Sequence, residues 1–447
     1  LNTEPKQVSQ HNPIENRVVV FWFRRDLRLH DNVGLLQALK SGFPVLPLFI
    51  FDTDILDQLP KDDPRVSFIH GTLQQMDQKM KNDIGSGLAQ FHGKPLEVFK
   101  KLVGTYRLHA VYTNHDYEPY ARERDRAIHQ FLSQHHIDFK SFKDQVVFEK
   151  GEILKNNGTA YVVYTPYMKR WKAILDTERD LKYHDTSPYL QYFVKTCPSP
   201  SLSLQEIGFE PSSISVPDVI LHADLLTNYG NTRDFPGLTD GTSRLGPHLR
   251  FGTVSIREVV KQALGEETFW NELIWREFFM QILWHYPHTV TQAFKPQYDR
   301  IPWRTHSEDF EKWKTGKTGY PLVDAGMREL NTTGHMHNRV RMLVASFLCK
   351  HLLIDWRWGE AYFAQKLLDY ELSSNVGNWQ WAAGSGVDAA PYFRIFNPTT
   401  QLQKFDREHT YIQKWVPDLQ EPSYPLPMVN HKTARNRCLD VYKEALA

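Results

Sequence analysis

The chain has 447 residues, 41% hydrophobic and 23% charged, a balance that suits a folded protein of two or three domains and excludes a disordered polymer. A net charge of +1 supplies no global attraction to nucleic acid, so any affinity for DNA has to come from a local patch. Three cysteines, Cys197, Cys349 and Cys438, lie far apart without CxxC spacing, which argues against a disulfide framework, a zinc site or an iron–sulfur cluster and fits a reducing, cytoplasmic setting.

The sequence starts at Leu1 without Met and reads as trimmed; residues 1–16 are polar, lack the apolar run of a signal peptide and are expected to be disordered. No stretch of about 20 apolar residues is present, so no membrane span is expected. From residue 17 to 149, apolar runs alternate with amphipathic segments: 18–23, then 32–41, 45–51, 95–106 and 110–113. Short buried strands separated by helices predict an α/β domain with a doubly wound parallel sheet. The string WFRRDLRLHDN (22–32) then falls just past the first strand, in the carboxyl-end crevice where such sheets bind ligands. Its Arg24, Arg25, Asp26 and Arg28 read either as a salt-bridged strand-to-helix turn or as ligand contacts.

Residues 150–228 are richer in Pro, Ser, Tyr and Asn and read as a linker wrapping one domain onto the next, least regular at PSPSLSLQ from Pro198. Beyond it, from 229 to 447, helical periodicity takes over by Thr253 and predicts an all-helical domain. Gly316, Lys317 and Thr318 imitate the end of a P-loop, but Glu311 stands where its first glycine belongs. Gly384, Ser385 and Gly386 begin like a dinucleotide loop and lack the third glycine. His335 and His337 lack companion ligands and read as ordinary helix residues, so no metal site is expected.

Nine of the 12 tryptophans, Trp270, Trp275, Trp284, Trp303, Trp313, Trp356, Trp358, Trp379 and Trp381, fall within one quarter of the chain. Trp offers a stacking face and an oxidisable ring, so the cluster suits a stacked base, a flat cofactor or electron hops, as well as an aromatic core. Polar residues punctuate the apolar helical pattern between them, from Asn338, Arg339 and Arg341 through Asp369 and Glu371 to Asn375. Buried polar groups need partners, which predicts something flat and hydrogen-bonding among them.

The strings GHMHNRVRMLVASFLCKHLLIDWRWGEAYF (334–363) and NVGNWQWAAGSGVDAAPYFRIFNP (375–398), with WFRRDLRLHDN (22–32) and GTSRLGPHLRFGTVS (241–255), resemble the photolyase/cryptochrome family, in order from about Arg17 to the end. The resemblance implies an antenna-chromophore domain over 17–149, a linker over 150–228 and an FAD- and lesion-binding domain over 229–447. It implies that Thr242, Ser243, Arg244 and Leu245 hold the FAD diphosphate, with Tyr229 upstream; by themselves these residues also read as a simple helix cap. Gly246 departs from the serine often found there.

By the same resemblance Asn338, Arg341, Asp369, Glu371 and Asn375 face the flavin ring, with Arg341 and Asp369 as a buried pair and Asn375 at N5. Glu371 stands where the family usually has Asp, so one methylene has to be absorbed. Trp270 and Trp313 line the pocket or the adenine side, or are core. Trp379, Trp356 and Trp303 match the family's relay of electrons to a photoexcited oxidised flavin.

Glu272, Trp275, Met342 and Trp381 match the residues that bind the flipped lesion in pyrimidine-dimer photolyases: two indoles form an apolar corner for fused thymines and a carboxyl group bonds their imide edges. Arg233, Arg339 and Arg394 match positions that hold phosphates beside the lesion without reading sequence. The resemblance therefore implies a class I cyclobutane pyrimidine dimer photolyase, a light-dependent FAD lyase acting on DNA as a monomer, with Glu272 as hydrogen-bond donor. The alternatives are a cryptochrome photoreceptor, against which the lesion residues, Asn375 and the lack of a long polar tail speak, and a (6-4) photolyase, which has histidine where Met342 stands. Glu118, within NHDYEP, implies a second, antenna chromophore; folate and deazaflavin binders both carry this glutamate, which leaves the chromophore open.

Overall fold

Alternation along the first strand decides the N-terminal domain. In β1 (Arg17–Phe23), Val19, Phe21 and Phe23 pack into one apolar cluster while Val20 and Trp22 pack into another. Successive side chains point to opposite faces, so a strand apolar on both must be covered on both. β2 (Val45–Asp52) is buried along its whole length. With β3 (Ala89–Gly93), β4 (Arg107–Asn114) and β5 (Asp138–Phe142) they form a parallel sheet in the order β3-β2-β1-β4-β5. This is the expected doubly wound α/β domain, and the strand order reverses beside β1.

The computed structural model describes residues 17–195 and 201–447. The expectation for residues 1–16, Cys197 and the start of PSPSLSLQ lie outside them. Beyond β5 the described elements are helical, as the periodicity predicts. The segment expected as an irregular linker contains a helix, Tyr164–Ile174, whose Tyr164, Tyr167 and Trp171 bury themselves against the helix Glu267–His285. Their three- and four-residue spacing is a helical stripe that the local Pro and Asn content masked.

Buried charges fasten the two domains. Asp144 accepts from Arg28 at 2.6 Å and from Arg257 at 2.9 Å, and Arg257 also reaches Asp31 at 3.1 Å, with all four at most 5% exposed. Taking charges out of water is costly, and pairing of this kind offsets the cost. Glu277 is also buried and accepts from the backbone N–H groups of Val147 and Phe148 and from the Trp171 indole at 2.6 Å. Burial pushes its carboxyl group up to about 7, against those hydrogen bonds. Gly252 has φ of +66°, and a Cβ there would lie 2.1 Å from the Arg25 carbonyl oxygen, so the domains meet where only glycine fits.

Among the described residues no helix is long and apolar enough to cross a membrane, and no His, Cys, Asp or Glu cluster could hold a metal ion. Cys349 and Cys438 are buried free thiols. His335 and His337 precede the helix Asn338–Ser346 instead of lying in it: His337 caps it by accepting from the Arg339 N–H, and His335 contacts Arg244 and Glu329.

Candidate functional site

Helical spacing builds the main cavity. Asn338, Arg341, Met342 and Ala345 share one face of the helix Asn338–Ser346, and Ser374, Asn375, Asn378, Trp381 and Ala382 share one face of the helix Leu372–Ala383. The two faces, with Asp369, Tyr370 and Glu371 from the preceding turn, line one concave site of the kind that takes small molecules. Arg341 donates to both oxygens of Asp369, at 3.2 and 2.9 Å. The side chains of the pair are 24% and 20% exposed, open toward the cavity. Asn375 is fixed at its nitrogen end, donating to the Glu360 carbonyl at 3.1 Å and carboxylate at 2.9 Å. Asn378 carried no signal in the sequence beyond its three-residue spacing from Asn375, and Ser374 and Glu360, the latter on the separate helix Trp356–Lys366, carried none.

The turn Thr242 to Leu245 leads into the short helix Gly246–Phe251, with Leu245 as its cap. A Cβ on Gly246 would lie 2.6 Å from an Asp369 oxygen. The departure from serine is thereby explained: this turn packs directly on the Arg341–Asp369 pair, and the missing side chain is the room that pair occupies. Thr242 and Ser243 are half-buried, and the Ser243 carbonyl accepts from the Ile220 N–H at 2.9 Å. Arg244 has its guanidinium on His335 and the Thr239 carbonyl.

Three residues expected at or near the cofactor make most of their contacts elsewhere. Glu371 uses both carboxylate oxygens on arginines, one on Arg25 and the other on Arg276 at 3.1 Å, with Arg250 at 3.8 Å. Its carboxyl group is taken up by this arginine cluster, although the residue still lines the cavity. Burial alone would raise its pKa, but Arg276, Arg25 and Arg250 hold it at about 2. Trp270 packs edge-on to Trp171 at 5.8 Å under the Lys172 ammonium, and its neighbour Phe269 is the ring that meets Tyr229, at 5.0 Å. Trp313 is fully buried and donates to the Val344 carbonyl at 3.1 Å, as core.

A string of charges ends at Met342, which lines the cavity. Glu272 bonds Arg233, which lies 3.8 Å from Asp234; Asp234 binds Arg339, whose Nη1 lies 3.8 Å from the Met342 sulfur. Asp234 went unnoticed in the sequence, and it means that both Arg233 and Arg339 are already ion-paired. Arg394 is exposed, and no ion pair holds it among the described residues. Burial pushes the Glu272 carboxyl group up, with Arg233 opposing. On the same helix Trp275 stacks face to face on Tyr164 at 3.6 Å, so the supposed linker supplies the wall that fixes this indole.

Trp379 lines the cavity and is 2% exposed; Trp356 is 1% exposed and Trp303 half-buried, all in or against one apolar cluster. Gly359, one turn along from Trp356, abuts the Trp379 ring. Trp303 is followed by Arg304, whose N–H donates to the Leu353 carbonyl at 2.7 Å, close to the start of the helix carrying Trp356.

A second cavity, of about 850 Å³, opens past the carboxyl ends of β1 and β2. Trp22, Phe49, Phe51 and Phe251 give it an apolar floor, and Arg24, Arg25, Arg124, Arg250, Asp116 and Glu118 rim it. The salt-bridged reading of the WFRRDLRLHDN turn holds, since Arg24 pairs with Asp125 at 2.5 Å and Arg28 with Asp144; Arg24 and Arg25 also line the cavity. Glu118 accepts from Arg250 at 2.5 Å and Arg25 at 3.3 Å. Arg25 thus touches Glu118 in one cavity and Glu371 in the other.

Comparison with known proteins agrees with this layout. Residues 19–186 match the model of the DNA photolyase family, and residues 269–423 match the FAD binding domain of DNA photolyase. The chain is similar to a deoxyribodipyrimidine photo-lyase of Halobacterium salinarum, 35% identical over 95% of this chain and 99% of that one. Its fold is similar to a class III photolyase from Agrobacterium tumefaciens, a class other than the class I pattern read above, with a TM-score of 0.87, 33% identity, and 98% and 99% of the two chains covered. It is also similar to an archaeal photolyase from Sulfolobus tokodaii with two FAD molecules, one implicated as a novel light-harvesting cofactor, with a TM-score of 0.82, 34% identity, and 96% and 100% covered.

Proposed function

The chain belongs to the DNA photolyase family, and on that footing we propose that it splits cyclobutane pyrimidine dimers in DNA under blue or near-ultraviolet light. The observation that carries this reading is the cavity where Asn338, the Arg341–Asp369 pair and Asn375 share a wall with Met342 and Trp381, with Glu272 tied to the same mouth through Arg233, Asp234 and Arg339. The donor set fits a flavin: one charged pair, two amides and the glycine-opened turn at Gly246. A reduced flavin, when bound, supplies the light-driven electron that opens the cyclobutane ring and takes it back, so the reaction is redox neutral.

The chain's own share is placement. Thr242 to Leu245 offer hydroxyls and N–H groups to the diphosphate, and Asn375, oriented by Glu360, presents a fixed amide to the ring. Trp381 and Trp275, the latter fixed by Tyr164, form the apolar corner for a flipped dimer, with Met342 beside it. Glu272, its carboxyl group pushed up by burial and opposed by Arg233, is the candidate to hydrogen-bond a thymine carbonyl gaining charge. Arg233, Arg339 and Arg394 meet phosphates, the first two by exchanging their present carboxylate partners. Trp303, Trp356 and Trp379 relay electrons inward when the flavin is oxidised. Glu118, Arg25 and Arg250 rim the seat of an antenna chromophore. The protein acts as a monomer in a reducing compartment holding DNA, in keeping with its buried free thiols.

The test is to reduce the flavin-loaded protein, mix it with dimer-containing oligothymidylate, illuminate, and follow thymine absorbance against a dark control. Light-dependent recovery is expected. No recovery from a protein whose flavin photoreduces normally overturns the reading in favour of a photoreceptor.

A further inference from the structure

Lys350, on the π-helical turn Phe347–His351, is 1% exposed, and among the described residues no carboxylate pairs with it. Burial lowers its ammonium to about 8, so at neutral pH it stays charged at a cost that an apolar side chain of similar length would avoid. It donates to the Tyr392 carbonyl at 3.1 Å and lies 4.3 Å from the centre of the Tyr442 ring. Tyr442 stacks on the Tyr392 ring at 5.8 Å and donates through its hydroxyl to the Ala383 carbonyl at 3.0 Å. Tyr392 is thereby gripped at its carbonyl and at its ring.

Tyr392 belongs to the turn 391–394, in which the Arg394 N–H donates to the Pro391 carbonyl at 2.8 Å. Residues 387–396 form neither helix nor strand, so no ladder of backbone bonds fixes their height over the core. The Lys350 bond falls on the peptide that joins Tyr392 to Phe393, and the two residues beyond it face solvent, Phe393 at 59% exposure and Arg394 beside it. The preceding helix Leu372–Ala383, with Trp381, has a tie of its own: Lys295 donates to the Gly384 carbonyl at 3.4 Å through its ammonium and to the Ser385 carbonyl at 2.9 Å through its backbone N–H.

On the reading of Arg394 as a phosphate contact, we propose that Lys350 is a positioning residue for DNA: through the Tyr392 carbonyl it holds the turn 391–394 where Arg394 meets a phosphate beside the lesion. An arginine on a loose turn gives up backbone and side-chain freedom when it binds, and a turn fixed beforehand removes part of that loss from the complex. The buried charge therefore lowers the stability of the fold while raising affinity for DNA, the opposition expected of a group kept for function.

The experiment is equilibrium binding in the dark, at neutral pH over a series of salt concentrations, of the flavin-loaded protein to a duplex carrying one cyclobutane thymine dimer. Arg394→Ala should weaken binding about tenfold or more and lower the slope of log affinity against log salt by about one, as the loss of one phosphate contact does. Lys350→Met, a change inside the core, should weaken binding about fivefold to tenfold and lower the same slope. Its Tm should stand at or above that of wild type, because a buried charge has gone. The double variant Lys350→Met/Arg394→Ala should bind no more weakly than Arg394→Ala alone, since the two residues act through one contact. Additive losses would mean that the charge acts on DNA at a distance and not through the turn, and they overturn the proposal, as does a Lys350→Met protein with wild-type affinity and slope. A Lys350→Met protein that melts below wild type or releases its flavin also overturns it, since Lys350 is then a support of the core. An Arg394→Ala protein that binds like wild type fails at the earlier step and sinks the phosphate reading itself.

Discussion

Replacing Glu371 by Gln should destabilise the protein in a way that fades with acid. The carboxylate is 6% exposed and shared by Arg25 and Arg276, with Arg250 nearby. Moving a glutamate from its ordinary 4.5 to about 2 corresponds to roughly 3 kcal/mol of stability. The folded value lies below the unfolded one, so this contribution is complete at neutral pH, begins to fall near pH 4.5 and is lost as pH approaches 2. Removing the charge also leaves buried guanidinium groups short of an anion, a loss of about 3–5 kcal/mol for a broken buried pair. Arg25 retains Asp116 and Glu118, which places the expected cost at the lower end. Urea unfolding followed by tryptophan fluorescence, wild type against Glu371→Gln, should show a gap of about 3 kcal/mol at pH 7 that shrinks to less than half at pH 3. Glu371→Asp should fall in between, its shorter side chain unable to reach both arginines. A gap equal at pH 7 and pH 3 would refute the electrostatic account.

Three further outcomes follow from close contacts. A methyl group at residue 359 would lie 2.1 Å from Trp379 Cη2, so Gly359→Ala should cost about 1–3 kcal/mol as overpacking, seen as a lower Tm, and slow bleaching of the oxidised flavin under blue light. Gly246→Ser should push Asp369 away from Arg341 and weaken FAD binding about tenfold to a hundredfold, read from flavin fluorescence on dilution. Asp144→Ala should strand Arg28 and Arg257 at the domain junction, costing about 3–5 kcal/mol; an unchanged urea midpoint would contradict the clasp.

Much of this arrangement was legible in the chain, and the misses have physical causes. β1, β2 and β4 announced themselves as apolar runs because both sheet faces are covered, whereas β5 is an edge strand with half-exposed residues and gave no such run. Asn338, Arg341, Met342, Asn375 and Trp381, pointed to by the family resemblance, do line one cavity, because helix phase sets them on facing surfaces. Phase also separates Trp270 from its neighbour: one residue along a helix turns the side chain by about 100°, and Phe269 takes the inner position against Tyr229. The fates of Glu371, Arg233 and Arg339 were set by partners distant in sequence, Arg25, Glu272 and Asp234, which no local pattern reports.

The central claim is that the mouth formed by Glu272, Trp275, Met342 and Trp381 receives a pyrimidine dimer. Its most direct test is equilibrium binding in the dark, at one fixed salt concentration, of the flavin-loaded protein to an oligothymidylate with a single cyclobutane dimer and to the same oligomer undamaged. The account predicts binding to the dimer tighter by a factor on the order of a thousand, with most of that preference lost in Trp381→Ala. Equal affinities for the two oligomers would contradict it.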